Sequence, residues 1–144
     1  MSRNPAPLEQ SIINEIGDLP PEWVLFFDSL FRGDAGTDWN PEFIGLTSTG
    51  TPAITGRYYQ LSSSLVYFRV TITPATNTTS VAGTTYINNF PLSIFGSGAC
   101  LAIAPASGVG VGLGVADAGS GRVFTPAWTN ATVPITIIGL LEAR

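Results

Sequence analysis

Residues 65–73, LVYFRVTIT, alternate strictly, with Val66, Phe68, Val70 and Ile72 on one side and Leu65, Tyr67, Arg69, Thr71 and Thr73 on the other. A period of two marks a strand buried on one face, with a polar or interfacial outer face. Shorter strand-type runs occupy 43–47, 57–61, 85–90, 99–104, 108–116, 121–125 and 133–141. Turn formers such as Gly50-Thr51-Pro52 and the ADAGSG of 116–121 separate them at intervals that suit a sandwich or barrel.

Ahead of residue 39 the period is different. Leu8, Ile12 and Ile16 stand four apart, one stripe of a short helix that Gly17 can end. In residues 18–33, DLPPEWVLFFDSLFRG, Pro20 and Pro21 suit a first helical turn, Glu22 favours its N-terminus, and Arg32 with Gly33 closes the far end. Trp23, Phe27, Leu30 and Phe31 form an apolar stripe that Val24, Leu25 and Phe26 widen nearly all round. A helix of about three turns with so little polar surface is unstable alone in water and must be buried. The expected organisation is an N-terminal helical arm over 1–38 and a β-sandwich module over 39–144. Trp23, Phe26, Phe27, Leu30 and Phe31 are the expected partner-binding residues.

Composition turns attention to what covers the surface. Hydrophobic residues make up 44% of the 144 and charged residues only 11%, well below the roughly one quarter usual in soluble domains. So little charge points to a surface covered by partners, or else to a coat of Thr, Ser and Asn hydroxyls and amides. Residues 1–43 carry eight acids against Arg3 and Arg32, a net of −6, whereas 44–144 carry Asp117 and Glu142 against four arginines, a net of +2. An acidic arm thus precedes a slightly basic body. A pI near 4.5 argues against non-specific nucleic-acid binding, which needs phosphate neutralisation. The first residues lack the apolar segment of a signal peptide, and no apolar run approaches membrane-spanning length. Synthesis in a cytoplasm, with no membrane partner, is the expectation.

Candidate chemistry is sparse. There is no histidine and one cysteine, Cys100, in the apolar run of 100–104. The common zinc sites and a serine triad are therefore excluded, and a buried thiol without an activating base reads as a small hydrophobe. No cofactor is expected. A carboxylate pair assembled from Asp38, Glu42 and Asp117 has no support in their spacing. Residues 108–115, GVGVGLGV, place Gly108, Gly110, Gly112 and Gly114 on one face of an extended strand. Such a face admits a close neighbour, either another subunit or an internal ring such as Trp128 or Phe124. The four glycines are the candidate self-association residues. Their spacing does not match a dinucleotide fingerprint. Trp39, Tyr58, Tyr59, Tyr67, Tyr86 and Trp128 are a possible stacking platform for sugars, although such residues in sheets are more often core or cross-strand partners.

The run Trp39-Asn40-Pro41-Glu42-Phe43-Ile44-Gly45-Leu46-Thr47, followed by Gly50-Thr51-Pro52 and Thr55-Gly56-Arg57-Tyr58-Tyr59, resembles the opening of a β module in structural proteins of tailed bacteriophages. Val66–Pro74, Asn77–Ser80, Gly83–Pro91, Gly121–Trp128 and Thr136–Gly139 continue the likeness, which covers roughly residues 39–142. It lies in strand and turn texture and includes no catalytic signature. The resemblance implies a trimeric, jelly-roll-like antiparallel sandwich with a short helical arm that attaches it to the virion. It makes the chain a short tail-fibre protein joined to a tail hub, adaptor or neck, or a capsid cement protein that decorates the head. A long shaft is lacking, which favours a stubby fibre or a cement role. Other virion proteins are the expected partners, and the virion is the expected location. A module that binds a host surface glycan or receptor is the alternative of a different class, and no enzymatic activity is expected.

Overall fold

The structure is a computed structural model that describes residues 36–144. The expected arm helices, with Trp23, Phe26, Phe27, Leu30 and Phe31, lie outside the described residues. Twelve strands make up the described part: β1 Thr37–Trp39, β2 Phe43–Ile44, β3 Thr47–Thr49, β4 Ala53–Gln60, β5 Leu65–Thr73, β6 Asn77–Ser80, β7 Tyr86–Ile87, β8 Ile94–Ala104, β9 Val109–Asp117, β10 Arg122–Phe124, β11 Trp128–Ala131 and β12 Ile135–Ala143. No helix occurs among the described residues, of which strands take 61%, so the mainly-β assignment stands for the module. β1 includes Thr37 and Asp38, so pairing begins before residue 39.

Nine strands form one curled antiparallel sheet in the order β1-β4-β5-β12-β8-β9-β10-β7-β2, and β11-β6-β3 form a second. β5 has the expected bounds and faces. Val66, Phe68, Val70 and Ile72 are completely buried, while Leu65, Arg69 and Thr73 are exposed. Its partner β12 returns from the far end of the sequence and pairs with β5 on one side and β8 on the other. Ile135, Ile137, Leu141 and Ala143 extend the core opposite Cys100, Ala102 and Ala104. Gly139 makes room for Phe68, since a Cβ there would stand 2.5 Å from the Phe68 ring.

Expected strand 43–47 is two strands in two sheets. Gly45, at φ 80°, breaks it, and a side chain there would meet the carbonyl of Thr84 at 2.8 Å. The chain turns at this glycine, so β2 joins the large sheet and β3 the small one. β6 was not among the expected strands, because NTTS carries no apolar alternation. It alternates in burial all the same, with Thr78 and Ser80 inside.

Those inner hydroxyls are hydrogen-bonded. Trp128 Nε1 donates to Thr78 Oγ1 at 3.2 Å. Ser80 Oγ donates to the Pro126 carbonyl at 2.8 Å and lies 2.9 Å from Thr125 Oγ1. Thr85 Oγ1 donates to the Gly45 carbonyl at 3.0 Å and accepts the Val81 N–H at 2.9 Å. Part of the Thr/Ser content is therefore interior polar structure. Thr78→Val removes the acceptor and strands a buried indole N–H, so stability is expected to fall by about 1–3 kcal/mol. Urea denaturation followed by Trp fluorescence measures this loss.

Candidate interaction surface

The side chains that alternate away from the core form continuous rows across the large sheet. One row runs through eight strands by direct register: Tyr59, Tyr67, Leu140, Ala99, Val115, Phe124, Tyr86 and Ile44. The next runs Asp38, Arg57, Arg69, Ile138, Leu101 and Leu113. From β12 to β9 both rows are wholly apolar. Leu113 is 76% exposed, Val115 59% and Leu140 49%, with Leu101, Phe95 and Ile44 also open.

Strands about 4.8 Å apart and same-face residues about 6.7 Å apart give each outward side chain about 32 Å² of sheet. The apolar members of the two rows thus span on the order of 350 Å² in projection. The largest apolar patch on a typical monomer is about 300–600 Å² and often functional. Ala99 is the smallest side chain in its row. Beside it lies a shallow depression of about 310 Å³ lined by Tyr67, Ala99, Ile138, Gly139 and Leu140. Two cations sit on aromatic rings of the sheet: Arg122 lies 4.4 Å from the centre of Tyr86, and Arg144 5.1 Å from that of Phe95.

The glycine row is not a single face. Ala102 pairs with Gly112 and Ile103 with Gly110, so Val111 is an extra residue in a β-bulge. Past the bulge Gly114 is buried, and a Cβ there would collide with the Phe124 carbonyl and stand 2.7 Å from Cys100 Sγ. Gly112 lies beneath Pro126, 3.0 Å from where its Cβ would be. Gly108 and Gly110 have open space around them. The close neighbours of the inner two glycines are internal. On β9 it is Leu113 and Val115, on either side of Gly114, that are presented outward. The one-face reading is corrected accordingly, since spacing alone does not reveal a bulge.

The aromatic candidates also divide. Trp128 is buried, and Trp39 and Tyr58 pack against the core with Phe90, Trp39 lying 5.5 Å from Phe90 and 5.9 Å from Tyr58. Tyr59, Tyr67 and Tyr86 belong to the outward row. Cys100 is buried, its S–H directed at the Phe124 carbonyl at 3.5 Å, and burial pushes its thiol up to about 11. It packs as the sequence leads one to expect of a small hydrophobe.

Two of the described carboxylates, Asp38 and Asp117, are engaged in structure. Asp38 accepts two hydrogen bonds from Arg57, from Nε at 2.6 Å and Nη2 at 3.0 Å, and this holds its carboxyl below the ordinary 3.8. Asp117 accepts from Ser120 Oγ and from the Gly119 and Ser120 N–H groups, which lowers its carboxyl as well. Among the described residues no three His, Cys, Asp or Glu side chains group as metal ligands. Comparison with protein-family profiles, curated proteins and solved structures finds no match for the chain.

Proposed function

We propose that the chain is a structural protein that works by assembly, with three copies meeting through the outer apolar rows of the large sheet. The continuous outward row from Leu140 to Ile44 carries this reading, because a face of this kind left in water is an aggregation liability unless another chain covers it. A second copy suits it electrically. Asp38, Glu42, Asp117 and Glu142 balance Arg57, Arg69, Arg122 and Arg144 within 36–144, so copies meet without net repulsion between modules. A standard interface buries about 800 Å² per partner, and the two rows with flanking Phe95, Leu65 and Ile103 project to on the order of 450 Å², somewhat more than half of that. The number three comes from the likeness to tailed-phage fibre and decoration modules.

Within that setting the module is a jelly-roll-like sandwich, and the late return of β12 between β5 and β8 suits a Greek-key connection. The acidic N-terminal arm, through Trp23, Phe26, Phe27, Leu30 and Phe31, anchors it to a tail hub, adaptor or capsid. A short fibre-like role comes first and head cement second. Quantitative proteomics of gradient-purified particles from the encoding culture tests the assignment. Wild-type chain should be a stoichiometric particle component and a Phe27→Asp chain should drop out. Wild-type chain missing from the particles overturns the virion role.

A further inference from the structure

The β4–β5 end of the outer face differs in kind from the apolar rows. Three cross-strand pairs follow one another there: Tyr59 opposite Tyr67, Arg57 opposite Arg69, and Thr55 opposite Thr71. Alternation brings all six side chains to the same side, and Asp38 joins from β1 opposite Arg57. Asp38, Thr55, Arg57, Arg69 and Thr71 line an open depression of about 240 Å³. The Tyr59 and Tyr67 rings stand 5.6 Å apart, inclined at 40°, in the adjoining register position.

Like charges directly opposite one another destabilise a sheet. Asp38 relieves only one of the two arginines, using the Nε–Nη2 edge of Arg57. Arg69 is exposed and makes no ion pair among the described residues, and the Thr55 and Thr71 hydroxyls have no hydrogen-bond partner there. The pocket thus holds one uncompensated guanidinium, that of Arg69, a second shared between Asp38 and Tyr59, and two hydroxyls able both to donate and to accept.

We infer that this ladder is a binding subsite for a carboxylate-bearing sugar, a hexuronate unit of an acidic saccharide. Its carboxylate lies on Arg69, whose planar fork matches two carboxylate oxygens. Ring hydroxyls exchange hydrogen bonds with Thr55 and Thr71, and an apolar sugar face packs on Tyr67. A side-chain carboxylate from a protein would satisfy Arg69 but leave the threonine pair and the tyrosines unused. That is why the observations favour a sugar. The volume suits one ring, being below the range of about 300–1,000 Å³ for drug-sized ligands. The site is the β4–β5 end of the two rows, whereas the assembly reading rests on their apolar part from β12 onward.

Calorimetric titration of the full chain with three probes tests this: oligogalacturonate, its neutral methyl ester, and oligoglutamate. Oligogalacturonate is expected to bind saturably. The methyl ester is expected to bind at least about tenfold more weakly, because the charge-assisted hydrogen bonds to Arg69 are lost. Arg69→Gln should weaken oligogalacturonate by a similar factor, with circular dichroism and solution mass unchanged. Thr71→Val should weaken both sugars without altering the preference between them. No saturable binding of oligogalacturonate, equal binding of the ester, or indifference to Arg69→Gln overturns the inference. Oligoglutamate binding as tightly as oligogalacturonate overturns its sugar component and makes the site one for acidic peptide.

Discussion

Leu113→Glu is expected to dissociate the assembly into single chains while leaving the fold intact. Leu113 ends an apolar row, points away from the core and is 76% exposed in the single chain. With no interior contact to lose, the substitution should change chain stability by less than about 0.5 kcal/mol. In a covered interface the same carboxylate is buried without a partner. That costs about 3 kcal/mol or more per contact, at least roughly a hundredfold in dissociation constant. Val81→Glu is the matched control. Val81 is 51% exposed but lies in the turn after β6, away from the rows, so its variant should keep the wild-type mass. Light scattering coupled to size exclusion reads both, and circular dichroism confirms the fold. If both variants fall to the single-chain mass, surface hydrophobicity in general governs association; if both keep the wild-type mass, Leu113 lies outside the interface.

The second large effect separates two glycines that the sequence presents as equivalent. Gly114→Ala is expected to lower stability by about 3 kcal/mol, the upper part of the overpacking range, and the melting temperature by on the order of 10 °C. The new methyl meets a backbone carbonyl, that of Phe124, on the strand paired with β9, together with the buried sulfur of Cys100. The carbonyl cannot yield without loosening β9–β10 pairing. Gly110→Ala places its methyl in open space and should change stability by less than about 0.5 kcal/mol. Thermal unfolding of both variants decides the matter. Equal losses at the two positions would mean that the bulge at Val111 does not divide the row.

That pair of glycines also marks where the sequence stops being legible. The alternation of residues 65–73 disclosed β5, its buried face and its outward face, because apolar and polar side chains differ at every step. It disclosed neither β6 nor β11. Thr78 and Ser80 are buried on hydrogen bonds to Trp128 and Pro126, and a hydroxyl satisfied in the interior looks like a solvated one in a string of letters. A bulge leaves no mark in composition, so an even glycine spacing suggested one face where the backbone makes two. The outward rows were hidden for another reason. Leu113, Leu101 and Ile138 are scattered in sequence and become neighbours only through the register of β9, β8 and β12. Arg57 and Arg69 are likewise twelve residues apart in the chain and adjacent only through the β4–β5 ladder. By contrast, the inert setting of Cys100 was legible from its apolar neighbours alone.

Sedimentation equilibrium of the unmodified 144-residue chain tests the central claim most directly. If the apolar rows are the surface through which three copies assemble, the mass will be three times the 15.1 kDa of one chain, falling toward the single-chain value only on strong dilution. A mass of one chain at all concentrations would contradict the account, since the rows would then face water without a partner.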